Sequence, residues 1–357
     1  MRKIKRGRRR ARRLIPRRRG RLGLSVLLVG ALIAAVASIT ALIGARREAH
    51  AGSGLVEYAR LSPADPVRLV ATAGRRHQII FLGDILSAPE PKRIAADAID
   101  ALAHGPGLDA VVLEIGSDLQ QRIDRFLETE PEDTGILLAE PRTIHERWGV
   151  ASDYIEIYRR VWRLNRTLEP GRRIRILAVD LPGWPPAPNV PPRLAAAQYA
   201  QRDSYMVERI ESMILAGNPR ARLLIFMSGI HGLKSGQAEL FYGTDAPVPV
   251  VWLGTRLGQL HPGEVFTIVT DGATPALQGS LVADYTASRV YDFLRKHLPD
   301  ATRPFALTVD GRFDFLEAPI RSVTAPGLEI AFRPNDYRLR DVADGYIFLG
   351  TGPKFGR

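Results

Sequence analysis

The 357-residue chain has no cysteine, which excludes disulfide staples, thiolate metal ligands and cysteine nucleophiles together. It has no G-x-S-x-G elbow, no H-E-x-x-H helix, no Walker loop and no G-x-G-x-x-G turn. The commonest hydrolase, metalloprotease, kinase and dinucleotide signatures are therefore missing. No repeat of fixed period is visible, and His50, His77, His104, His145, His261 and His297 show no paired ligand spacing.

Acidic residues are absent from the first 21 positions, where thirteen Lys or Arg residues stand. Subtracting these thirteen from the 50 basic residues leaves 37 against 38 acidic ones, so the rest of the chain is close to neutral. The +12 charge thus belongs to an N-terminal arm, which argues against a broad nucleic-acid-binding face.

Leu22 to Gly44 contains no charged residue. Twenty-three residues at about 1.5 Å each give roughly 34 Å, enough for one tilted helix across a bilayer core. The thirteen cations before it, against Arg46 and Arg47 after it, predict a cytoplasmic N-terminus and a translocated C-terminal domain. A signal cleaved near Ala49-His50-Ala51 is the alternative, but the uncharged run exceeds the roughly 7 to 15 residues of a secretory core. The organisation expected is a basic arm over 1–21 touching anionic lipid head groups, a bilayer-spanning helix over 22–44, a polar linker over 45–70 and a domain over 71–357. The Arg- and Ala-rich composition points to the cytoplasmic (inner) membrane of a bacterium, with the domain on its outer side.

Beyond the linker, short apolar runs alternate with amphipathic, helix-length stretches. The runs are 78–82, 109–113, 174–179, 222–227, 250–253 and 265–269. Several are apolar almost throughout, as strands covered on both faces should be. Helices are expected over 92–103, 119–127, 154–164 and about 193–216, and a proline-rich loop over 181–192. The fold class is α/β, a mostly parallel sheet with helices on both faces.

Four expected strands end in, or run into, a residue capable of chemistry: Asp84, Glu114, Asp180 and His231. In an open α/β sheet the carboxyl ends of the strands share one crevice, where ligands bind. Carboxylates and an imidazole meeting there can hold a divalent metal, with Asp84, Glu114 and His231 as ligands, or divide acid and base roles. Each also has a structural reading: Asp84 as a cap, Asp180 in an Asx-turn, Glu114 paired with an arginine. Arg202-Asp203, on the long helix, either orients a site carboxylate or is a solvated pair.

The ordered segments IIFLGD, DAVVLE, ILAVDL, RDSYM and LLIFMSGIHG resemble the erythromycin-esterase-like and ChaN-like superfamily, distantly akin to the TraB and Tiki proteins. The resemblance spans roughly 75–350, including 341–348 as a closing strand. It implies site roles for Glu114 and His231, with Asp84 at the place of the family's first-motif glutamate and Asp180, Arg202 and Asp203 beside them. The first-motif histidine falls at Leu86 or Ser87 and is missing, and Ser87 becomes a candidate substrate contact. Two functions follow as expectations. One is hydrolysis of an ester or amide; the other is binding of haem, a metal or a cell-envelope molecule in the same crevice without turnover.

Overall fold

The computed structural model describes residues 35, 36, 38, 52–85, 88–138, 151–184, 190–235, 237–242, 248–272, 289–314, 321–325, 328–333 and 338–351. The basic arm, almost all of the expected span over 22–44, and Leu86 and Ser87 lie outside these residues. Among the described residues no helix is long and apolar enough to cross a membrane. The chain divides into Met1–Ala49 and His50–Arg357, and the second unit is the one described below.

Two helices, over 52–61 and Pro66–Gly74, stand where a polar linker was expected. Leu55 and Ala59 of the first are core residues, and Asp65 caps the second by accepting from the Arg68 N–H. Gly52, Gly54, Pro63 and Pro66 give this stretch the composition of a connection. Pro66 in fact opens a helix, where its missing N–H costs nothing.

The strands, in chain order, are β1 Ile79–Asp84, β2 Ala110–Gly116, β3 Arg175–Asp180, β4 Leu223–Ser228, β5 Gln237–Tyr242, β6 Val248–Val250, β7 Val265–Asp271, β8 Phe305–Thr308, β9 Arg321–Ala325, β10 Leu328–Arg333 and β11 Gly345–Phe348. Seven form one sheet in the order β3-β2-β4-β1-β7-β11-β8. Every pairing in it is parallel except β11 with β8. The other four form an antiparallel sheet, β6-β5-β10-β9. The run 250–253 was expected as a strand, but only Val250 is in one; Leu253 opens the helix Leu253–Leu260. A four-residue apolar run fits either element, and here Trp252 and Leu253 are buried by the helix start instead.

Residues of β1, β2, β3 and β4 alternate between two of the three cores. Ile80, Leu82, Val111, Leu113, Leu224 and Phe226 pack with the helices Pro89–His104 and Ala151–Thr167. Ile79, Phe81, Val112, Leu177, Ile225 and Met227 face the opposite side, against Met206 and Ile210 of the helix Pro192–Ile210 and Leu253 and Leu257. Apolar residues at both parities are what a sheet covered on both faces requires.

Since β1, β2, β3, β4 and β7 are all parallel, their carboxyl ends lie at one edge of the sheet. After β4 the chain makes a short 3-10 turn, Gly229–Gly232, held at close range. A Cβ on Gly232 would lie 2.2 Å from the Phe81 ring, and one on Gly254 would lie 2.1 Å from the Gly232 carbonyl oxygen. The two glycines let the Leu253–Leu260 helix start directly against the turn that carries His231.

Candidate functional site

The strand-end edge carries a buried charge cluster centred on Arg202, which projects from the Pro192–Ile210 helix. Arg202 Nε donates to Asp180 Oδ1 at 3.0 Å, and Nη2 donates to Asp180 Oδ2 and, at 2.6 Å, to Glu114 Oε1. The other Glu114 oxygen accepts from the Ser228 N–H at 3.0 Å, tying the end of β2 to the end of β4. A register shift between Leu113 and Gly116 in the β2–β3 pairing falls at Glu114. Asp180 also accepts from the Leu181 N–H at 2.8 Å. That bond goes to the next residue, whereas an Asx-turn needs the N–H two residues on, which Pro182 lacks, so Asp180 is held by its ion pair with Arg202.

Asp203, the next residue on the helix, serves a different partner. Its two oxygens each lie 3.0 Å from His231 Nδ1, and Oδ1 accepts from the Leu253 N–H at 2.7 Å. His231 Nε2 faces Glu114 Oε1 at 3.5 Å and Arg202 Nη1 at 3.5 Å. The guanidinium favours a neutral imidazole while the two carboxylates favour the imidazolium, and the carboxylates prevail. Burial pulls His231 down, but Asp203 and then Glu114 outweigh it and lift the imidazole to about 9. For Glu114 burial acts upward, yet Arg202 and His231 hold the carboxyl well below the usual range.

Asp84 sits on the other face of the same edge. Its Oδ1 meets Lys92 Nζ at 2.9 Å and its Oδ2 accepts from the Tyr154 hydroxyl. Burial pushes Asp84 up against the pull of Lys92 and Tyr154, and Glu114 adds a like charge. Burial pushes Asp180 up as well, against Arg202.

The structure therefore brings Glu114, Asp180, Arg202, Asp203 and His231 into one contact network, with Asp84 as an electrostatic neighbour of Glu114. Arg202 and Asp203 are 2% and 1% exposed, so the solvated-pair reading does not hold. Asp84, Glu114 and His231, the expected metal set, stand in contact with Lys92, Arg202 and Asp203 respectively. Among the described residues no three His, Asp or Glu side chains are placed to hold a metal ion. The reason is visible in the contacts, since Lys92 and Arg202 already supply cations to Asp84 and Glu114.

Four neighbours were missed by sequence reasoning. Lys92 and Tyr154 gave no signal beyond helix periodicity. Asp271, 2% exposed at the end of β7 with the Tyr346 hydroxyl donating at 3.3 Å, follows the same strand-end rule that found Asp84 and was legible by it. Trp184, from the proline-rich loop, places its ring 4.0 Å from the Arg202 guanidinium carbon.

No protein-family model matches the sequence, and no curated protein matches it either. In three dimensions the chain is similar to an erythromycin esterase variant in its open conformation, with TM-score 0.52 and 11% identity over 81% of this chain and 95% of that one. It is similar to a succinoglycan biosynthesis protein, with TM-score 0.55 and 10% identity over 84% and 96%. A protein from Bacillus cereus gives TM-score 0.54 and 11% identity over 84% and 97%. The domain shares the fold of these three structures, and at these identities the likeness is one of fold alone.

Proposed function

We propose that the domain is a hydrolase of an ester or amide whose chemistry is done by His231 and Asp84 at the strand-end edge, with Glu114 between them. The observation that carries this reading is the direct approach of His231 to Glu114 and Asp203 in a buried cluster beside Asp84. The division of charge supports it. An imidazole held protonated can give a proton to a leaving group, and a carboxyl raised by burial is a better base than Glu114, which is held low by Arg202. Glu114, held anionic by Arg202, serves to keep the imidazolium charged and in place.

The test is turnover of an ester and amide panel by the purified full-length chain. Asp203→Asn keeps the shape beside His231 and removes its charge, and should lower kcat/KM by about 10²–10⁴-fold if His231 is the acid. Equal rates in the two proteins would sink the assignment. A non-catalytic binding domain is the second reading, favoured by the way Lys92 and Tyr154 already engage both oxygens of Asp84. A small molecule that co-purifies with the chain and is never turned over would favour it.

The domain is further proposed to be held outside a bacterial cytoplasmic membrane by residues 22–44, with the arm 1–21 against anionic head groups. The uncharged 23-residue run and the charge asymmetry around it support this. After an alkaline carbonate wash the full-length chain should stay with the membranes, and deletion of 22–44 should release it. Full-length chain in the supernatant would overturn the anchor.

A further inference from the structure

Lys92 is 1% exposed, yet it stands in the first turn of the helix Pro89–His104. The dipole of that helix disfavours a cation there, and a buried ammonium is costly unless fully paired. Its placement must be explained by what it touches. Nζ donates to the Ile85 carbonyl at 2.7 Å and the Ala88 carbonyl at 2.9 Å, and meets Asp84 Oδ1 at 2.9 Å. Two main-chain carbonyls and a carboxylate thus surround the ammonium. The Tyr154 ring lies 5.1 Å from Nζ, and its hydroxyl takes the other Asp84 oxygen. The Asp84 carboxylate is thus oriented from two helices at once. Ile85 and Ala88 flank Leu86 and Ser87, the positions at which the resembling pattern has its histidine.

We propose that Lys92 is the positioning residue of this site, clamping the chain on either side of residues 86–87 to Asp84 and supplying the cation that keeps that carboxylate oriented and available as a base. The catalytic consequence rests on the hydrolase reading, whereas the clamp does not. Asp84 and Lys92 should behave as one coupled unit, and the loss of the ammonium should move Asp84 toward the protonated form.

The test uses the full-length chain with Asp carboxyl carbons and Lys side-chain nitrogens labelled for NMR. In the wild type, the Lys92 Nζ resonance should shift in the same pH step as the Asp84 carboxyl. Independent behaviour of the two overturns the proposal without any variant. Lys92→Met removes the charge, and Lys92→Gln removes it while keeping a donor for the two carbonyls, should the first variant not fold. Either should raise the pH at which Asp84 titrates and carry the acid limb of the rate profile with it. Lys92→Arg should restore the Asp84 titration. An Asp84 step that stays put in the neutral variants overturns the proposal, because an ammonium that orients and charges this carboxylate cannot be removed without moving its titration. Absence of turnover in a wild type that shows the coupled step would count against the hydrolase reading alone.

Discussion

Replacing Arg202 with methionine should destabilise the domain by about 3–5 kcal/mol at neutral pH, the range seen when one partner of a buried ion pair is removed. Arg202 is 2% exposed and answers two carboxylates, Asp180 and Glu114, which are 0% and 6% exposed. Methionine fills similar space but leaves both anions in the interior. Domains of this kind are stable by only about 5–15 kcal/mol, so the variant should be near the limit of folding. Acid should relieve part of the deficit. An unpaired buried carboxyl takes up a proton at higher pH than a free one, so the penalty falls as pH falls through that point. Urea unfolding of both proteins at pH 7 and pH 4.5 measures this. A difference below about 1 kcal/mol at pH 7, the range of exposed pairs, would mean that the network is solvated.

The second large effect is on the alkaline side. The folded state holds His231 at about 9, above its ordinary value near 6.5, so its contribution is fully present below pH 6.5 and is lost as pH rises through about 9. A gap of that size corresponds to on the order of 3 kcal/mol. Glu114 is displaced in the opposite sense, and its contribution is present above its ordinary value near 4.5 and lost as pH falls toward its depressed folded value. Unfolding free energy should therefore decline from pH 6.5 to 9.5, and the decline should be largely absent in His231→Gln. Parallel wild-type and variant curves across that interval would show that His231 is not held as an imidazolium.

Much of this architecture is written in short apolar runs. The segments 78–82, 109–113, 174–179, 222–227 and 265–269 all lie within or overlap parallel strands, because a strand covered on both faces has apolar residues at successive positions. The antiparallel sheet was not legible. It pairs β5 with β10, Gln237 against Arg333, over a long sequence separation, and no local period announces such a partner. The segment 250–253 was misread for the related reason that a run of four has no period of its own.

The site was legible where topology alone determines it. A parallel sheet puts every strand's carboxyl end at one edge, so Asp84, Glu114, Asp180 and the turn bearing His231 were bound to be neighbours. The helix pair Arg202-Asp203 was legible as a candidate, but two adjacent residues of opposite sign fit a solvated pair as well as the orienting of a site carboxylate, and the resemblance alone placed them beside the site. Instead each pairs with strand-end groups, Arg202 with Asp180 and Glu114, Asp203 with His231. Lys92 was hidden for another reason, since its acceptors include two main-chain carbonyls, which leave no trace in side-chain identity.

In the proposed hydrolysis a protonated His231 and a burial-raised Asp84 share the work. The dependence of kcat/KM on pH for a substrate turned over by the full-length chain tests it most directly. A bell is expected, with an acid limb set by Asp84 and lost in Asp84→Asn, and an alkaline limb near pH 9 where His231 gives up its proton. A rate that keeps rising through pH 10, or a bell unchanged in Asp203→Asn, would contradict it.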